Sequence, residues 1–258
     1  MYYAMMVDIK NSHELSIEDR KNYQLKINDA ITILNKKFIN NLKYKMVFSS
    51  GDSIQGLFYH LIDAVIYYYL LIDFCYPIEV RCGIGGGELS LDLSNYDSNM
   101  QDGPAYHNAL KAITQCKDED VKMIINCLRK EDYFLNEMFY LSYLYETRLS
   151  DKQADLNNLI NLLLPINTKI EEDYFKKYVL TNIKHYDKIK IEELDLLNNN
   201  IKDEHTFQKN IIPTNIARIA SNILGTSREN IRQMIINGDL NQIRKLRLLI
   251  IQFIKEYC

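Results

Sequence analysis

Tryptophan is absent from this 258-residue chain, and proline occurs four times. With 47% hydrophobic and 25% charged residues, so little proline leaves no low-complexity or disordered class in view and points to a globular fold. Disulfide and zinc frameworks are excluded in the same way. Five cysteines (Cys75, Cys82, Cys116, Cys127 and Cys258) are odd in number and show no C-x-x-C spacing, so reduced, buried thiols and a cytoplasmic address are expected. Long apolar runs are missing too. The strongest candidate, Ala64 to Ile72, is held between Asp63 and Asp73, whereas a bilayer-spanning helix needs about 20 apolar residues. Met1 to Val7 has no basic leader and runs into Asp8, so it reads as a strand, not a signal peptide. No membrane partner is expected.

Charge is unevenly spread. The net value is −3, yet Lys209 to Cys258 holds eight Lys/Arg against three Asp/Glu, which leaves −8 on the preceding residues. A basic end on an acidic body points towards an anionic partner for that end.

The pattern of apolar residues predicts a strand over Met1 to Val7 and a helix over Ser16 to Asn41, with Ile27, Ile31, Leu34 and Phe38 on one face. Strand-like runs from Tyr44 to Ser49 and Ser53 to Phe58 flank Ser50-Gly51-Asp52, a hairpin signal. A buried helix over His60 to Phe74 is broken by Pro77. A strand over Ile78 to Ile84 then enters a glycine turn at Gly85-Gly86-Gly87. Glu88 to Leu93 is a further candidate strand, Ser94 to Gly103 a loop, and Pro104 to Ala112 a helix opened by proline. The order βαββαβ implies an α+β fold with a ferredoxin-like sheet and helices on one face. From Ile113 to Gln208 the runs are helical, as in Phe134 to Tyr145 and Asp155 to Leu164, and Asn198-Asn199-Asn200 marks a linker. Three parts follow: an α/β domain (1–130), a helical connector (131–208) and a C-terminal helical domain (209–258).

Asp8 closes the first strand and Asp52 sits in the hairpin between the second and third. If the first and third strands are neighbours, the two carboxylates meet across a shared edge. Paired carboxylates repel unless a cation or proton intervenes. Mg²⁺ or Mn²⁺ suits such a pair, completed by water and phosphate oxygens, and could hold a nucleoside triphosphate for phosphoryl chemistry. As an alternative, Asp8 caps a loop and Asp52 is an ordinary turn residue. Gly83, Gly85, Gly86 and Gly87 fit neither a P-loop nor a dinucleotide fingerprint. They allow a bulge or a close backbone approach, with phosphate contact at Gly85 and Gly86 as the functional reading.

The sharpest local pattern is near the C-terminus. Ile216, Ile219, Ala220, Ile223 and Leu224 share a helical face, Gly225 ends that helix, and Thr226 with Glu229 forms a capping box for the next. Ile231, Met234 and Ile235 face the first helix. Ser227, Arg228, Asn230, Arg232 and Gln233 are left exposed, a set able to reach phosphates and base edges of DNA. Asp239 caps a third helix with apolar Leu240, Ile243, Leu249, Ile250 and Phe253. Arg244, Lys245 and Arg247 on it are candidates for the DNA backbone. The bland reading of the whole segment is a packing or dimerisation hairpin.

The first 112 residues resemble the catalytic domain of class III nucleotidyl cyclases. The matching pieces are Met6-Val7-Asp8-Ile9, Ser50-Gly51-Asp52-Ser53, Cys82 to Glu88, and Gly103 to Lys111. The resemblance implies a palm-type fold, metal ligation by Asp8, Asp52 and the Ile9 carbonyl, and a site formed between two subunits of a homodimer. It puts His107 and Lys111 where the family carries its catalytic Asn and Arg. It also puts Phe48 and Met100 at the base-reading positions, so recognition of a purine as cyclases perform it is not implied. Ile219 to Arg228 resembles the helix-turn-helix of bacterial regulators. The combination is similar to the SatD family of bacterial proteins, over residues 1–112 and again over 214–236. The function implied is a regulator joining a metal–nucleotide domain to a DNA-binding module. The alternatives are a divergent nucleotidyl cyclase or nucleotidyltransferase, and an interaction protein that has lost its chemistry.

Overall fold

The computed structural model describes residues 1–49, 51–166, 173–183 and 211–258. The expected linker at Asn198 to Asn200 lies outside them, as does Ser50. Among the described residues the chain is α+β, with five strands and nine α-helices. Two compact units are distinguished: Met1–Tyr143 with Ile250–Cys258, and Leu144–Leu249.

The first unit begins with β1 (Tyr2–Ile9), α1 (Ile17–Lys37), β2 (Leu42–Phe48), β3 (Ile54–Phe58), α2 (Leu61–Cys75) and β4 (Val80–Gly87), the order expected from the sequence. Next come α3 (Pro104–Asp118), β5 (Met123–Asn126) and α4 (Glu131–Glu146). The sheet order is β2-β3-β1-β4-β5. Among the described strands, β4 and β5 pair in parallel and the other neighbours antiparallel.

Ser16 caps α1 by accepting from the Asp19 N–H, which satisfies one of the helix's orphan donors. Ile27, Ala30, Ile31 and Leu34 form its buried stripe. Helix α2 is buried nearly all round. Its Tyr67 packs edge-on against Phe38 and Phe58, ring centroids 5.4 and 5.3 Å away.

Strand alternation assigns the two faces of the sheet. Phe58 lies opposite Tyr3, so odd-numbered residues of β1 face α2. Ala4 lies opposite Leu57 and Gly85 and clusters with Ala105, Tyr106 and Ala109, so Ala4 and Asp8 face α3. The sheet is therefore covered on both faces, α2 on one and α3 on the other, where helices on one face were expected.

Three further expectations are corrected. Gly85 to Gly87 lie inside β4, paired with β1, and do not form a turn beyond it. Segment 88–93 contributes a single bridge, Leu91 to Asp102, and no strand. Strand β5 is not visible in the sequence pattern because Met123–Asn126 is short, and short apolar runs carry no decisive period.

The second unit contains α5 (Asp151–Leu163), α6 (Asp173–Asn182), α7 (Ile216–Leu224), α8 (Arg228–Asn237) and the start of α9 (Leu240–Tyr257). The Gln153 side chain reaches back to the Ser150 N–H at 2.9 Å and closes the first turn of α5. Helix α5 packs on α7 and α8. Leu156, Ile160, Leu163, Ile216, Ile219, Ile223 and Ile231 are all buried there.

Candidate functional site

The antiparallel register of β1 with β3 puts Val7 opposite Ile54, which carries Asp8 to the mouth of the β2–β3 hairpin. Ser53 Oγ lies 3.5 Å from Asp8 Oδ1. Asp52, the next residue back, stands at the same end of the strand pair. That hairpin turns through Gly51, whose φ of 61° favours a residue without a Cβ. The Gln24 side chain of α1 donates to the Gly51 carbonyl at 3.1 Å and fixes the turn from outside. One carboxylate oxygen, Asp52 Oδ2, is shut off from solvent with no hydrogen-bond partner among the described residues.

The other carboxylate is not idle. Lys117 Nζ lies 2.5 Å from Asp8 Oδ2, and the Asp8 side chain is only 13% exposed against 49% for Lys117. Lys117 reaches Asp8 because α3 lies very close to β4. A Cβ on Gly87 would meet Ala105 N at 2.6 Å, one on Gly85 would meet Asn108 C at 2.5 Å, and one on Gly83 would meet Ala109 O at 2.6 Å. The next α3-facing position on β4 is Arg81, which pairs with Asp8 in the ladder. The next α3 residue in the series Ala105, Ala109, Ile113 is Lys117. The sequence carries this signal in its four-residue spacing, but the cyclase resemblance ends at Lys111 and does not reach it.

Around this end of the sheet Asp120 is paired with Lys10 at 2.9 Å and with Arg81 at 2.8 Å. Hydrogen bonds from those two cations hold its carboxyl below the usual range. Asp120 follows α3 directly, so the pairs tie the end of that helix to β1 and β4.

His107 and Lys111 both sit on exposed positions of α3. His107 Nε2 lies 2.9 Å from Asp102 Oδ1. Ile9 is buried and pairs with Val80 at the end of β1. The space beside Gly85 is filled by α3 backbone, and that beside Gly86 by Met1 and Cys127, so helix and side-chain packing accounts for both glycines. Phe48 and Met100 are brought near one another, since the Asn99 side chain donates to the Phe48 carbonyl at 3.0 Å. Neither side chain can form the hydrogen bonds that read a base.

The observation that bears on a cation here is Asp52 Oδ2, buried and unpartnered among the described residues, at the same end of the strand pair as Asp8. Mg²⁺ sits about 2.0–2.1 Å from its oxygens and keeps water or phosphate ligands beside one or two carboxylates. The orphaned Asp52 oxygen suits that role. An all-protein cage does not fit, because no cluster of three or more His, Cys, Asp or Glu is gathered among the described residues.

In the second unit Gly225, at φ 65°, closes α7, and the Thr226 N–H returns to the Ser221 carbonyl at 3.1 Å. The cap of α8 is Ser227, whose side chain accepts from the Asn230 N–H. The expected Thr226–Glu229 box is not formed. Thr226 Oγ1 accepts from the Asn230 side chain instead, and Glu229 accepts from Gln233. Ser227, Arg228, Asn230, Arg232 and Gln233 are all exposed. Asp239 accepts from the Gln242 and Ile243 N–H groups through its backbone carbonyl. Two expectations for α9 are corrected. Arg244 and Arg247 are buried, and Arg247 pairs with Glu146 at 3.3 Å, so neither is placed to meet a phosphate backbone. Leu249 is exposed and not part of the core.

All five cysteines are free thiols, four of them buried. No described helix is long and apolar enough to cross a membrane. A match to the SatD family spans residues 2–184. The chain belongs to the SatD family. The likeness seen in the sequence motifs covers residues 1–112 and 214–236. The SatD match instead runs on through β5, α4, α5 and α6, and stops before α7 and α8. No curated protein matched the chain.

Proposed function

We propose that this SatD-family protein is a cytoplasmic, homodimeric regulator. Its first unit acts as a ferredoxin-like, cyclase-type domain that binds Mg²⁺ or Mn²⁺ together with a nucleoside triphosphate or a related phosphate ligand. Residues 216–237 act as a helix-turn-helix that binds DNA. The supporting observation is the β1–β3 register, which sets Asp8 against Ser53, beside an Asp52 whose buried oxygen lacks a partner. With Phe48 and Met100 at the base-reading positions, the ligand is held through its phosphates and metal more than through its base. The DNA half draws on the polar face of α8, where Arg228 and Arg232 sit among exposed amide and hydroxyl donors. Ligand occupancy would change dimer geometry and hence the spacing of DNA half-sites.

Fluorescence anisotropy of the full chain with labelled duplex DNA, at several salt concentrations, tests the reading. Affinity should fall with salt, and each of Arg228→Ala and Arg232→Ala should flatten the log–log slope by about 0.9 for every phosphate that the arginine neutralises. Adding Mn²⁺ with a non-hydrolysable triphosphate should shift the curve in the native chain and leave Asp52→Asn unmoved. Absence of any salt-dependent binding sinks the regulator.

A further inference from the structure

The carboxylate that is to receive a cation already holds one. Lys117 Nζ lies 2.5 Å from Asp8 Oδ2, a direct contact closer than the usual ammonium–carboxylate hydrogen bond of about 2.7–2.9 Å. Asp8 Oδ1 is the oxygen on the side of Ser53 and the hairpin, so a divalent ion held there would share one carboxylate with the ammonium on Oδ2. The two cations compete for the same negative charge and repel each other. Asp8 is nearly buried while Lys117 is half exposed, so the lysine is the partner able to leave. It sits in the last turn of α3, with solvent on its free side.

We propose that Lys117 is a resident counter-ion for the Asp8–Asp52 pair, displaced when a divalent cation binds and then available to a phosphate oxygen of the incoming ligand. The proposal rests on the cation reading of Asp8 and Asp52. The ammonium offsets the charge of the nearly buried Asp8 carboxylate. Binding a metal then requires breaking one ion pair to form another, which weakens cation affinity. An anion that accompanies the metal gives the half-exposed side chain a new partner. Such a site favours a metal–phosphate complex over the bare ion.

The test is a titration of the full chain with Mn²⁺, free ion being counted by electron paramagnetic resonance. Lys117→Met should bind Mn²⁺ tighter by a few-fold, up to about fivefold, since a half-exposed competing ion pair is worth that order. Lys117→Gln should do the same, which guards against a packing effect of the methionine, and thermal melts establish that both variants fold. Pyrophosphate should tighten Mn²⁺ binding more in the native chain than in Lys117→Met. In an Asp8→Asn background the lysine substitution should change nothing. Mn²⁺ binding that depends on Asp52 but is indifferent to Lys117, or weakened by its loss, overturns the proposal and leaves the cation site standing. No Mn²⁺ binding by the native chain or either lysine variant overturns both.

Discussion

Gly85→Ala should loosen the first unit more than any single methyl group ordinarily would. A Cβ at Gly85 points into the backbone of α3. It would meet the Asn108 carbonyl carbon at 2.5 Å and approach Ala109 N and Ala105 O more closely still. Carbon pairs prefer about 3.5–4.0 Å, so α3 must retreat by roughly 1 Å. Backbone cannot rotate away as a flexible side chain could. Overpacking of this kind costs about 1–3 kcal/mol. The same retreat stretches the buried bond from Asn108 Nδ2 to the Gly86 carbonyl, now 2.9 Å, and losing it adds about 1 kcal/mol. Against this, removing a strand glycine returns about 0.5–1 kcal/mol, so the net loss should be about 1–3.5 kcal/mol. Urea unfolding followed by circular dichroism measures it. A local readout comes from Cys82 and Cys116, both buried, with Cys116 Sγ 3.2 Å from the Cys82 carbonyl between α3 and β4. Thiol labelling of both should accelerate. Gly51→Ala, where a Cβ meets open space but φ is 61°, is the control for backbone strain alone and should cost about 1 kcal/mol. A Gly85→Ala midpoint equal to native, with both thiols equally protected, would refute the close-approach argument.

Other expectations follow from the same geometry. Ser227→Ala removes the observed cap of α8 and should cost about 1 kcal/mol, whereas Thr226→Ala should cost less; thermal melts rank the two. Asp132 is buried and accepts from the Cys127 N–H at 2.6 Å and the Arg129 N–H at 3.2 Å. Burial pushes its carboxyl above the usual range despite those bonds. Asp132→Ala strands both donors and should cost about 2–3 kcal/mol in urea unfolding. Lys10 and Arg81 hold the Asp120 carboxyl below its ordinary value. A depressed carboxylate stabilises above its unfolded value and loses that contribution as pH falls through its folded one. The melting-temperature gap between native protein and Asp120→Asn should therefore be full at neutral pH and close below about pH 4.

Most of the first unit was legible from the sequence because its elements announce themselves locally. Ser16 caps α1, Gly51 sits at φ 61° in its hairpin, and Pro104 opens α3. What was lost depends on pairing that no local pattern encodes. Gly85 to Gly87 looked like a turn because glycine is common in turns, yet they are strand residues whose missing side chains admit a helix. Arg244 and Arg247 looked like surface charge, but both are buried and Arg247 meets Glu146, a residue 101 positions earlier. The α8 cap moved by one residue because Thr226 and Ser227 are chemically equivalent caps, and only geometry chooses between them.

The glycine stripe and the carboxylate site are parts of one arrangement. The α3-facing positions of β4 advance two residues at a time, about 6.6–6.8 Å. Four residues of helix advance about 6 Å. The near match keeps α3 in register with β4 from Ala105 over Gly87 down to Ile113 over Gly83. One more step delivers Lys117 to the strand position where Arg81 pairs with Asp8. With side chains at Gly83, Gly85 and Gly87 the helix axis would stand further from the sheet, and a lysine ammonium at 2.5 Å from Asp8 would need a different reach. The glycines thus bear on the site through the position of α3. A substitution at Gly85, remote from both aspartates in sequence, should on that account loosen the Lys117–Asp8 pair as well as the fold.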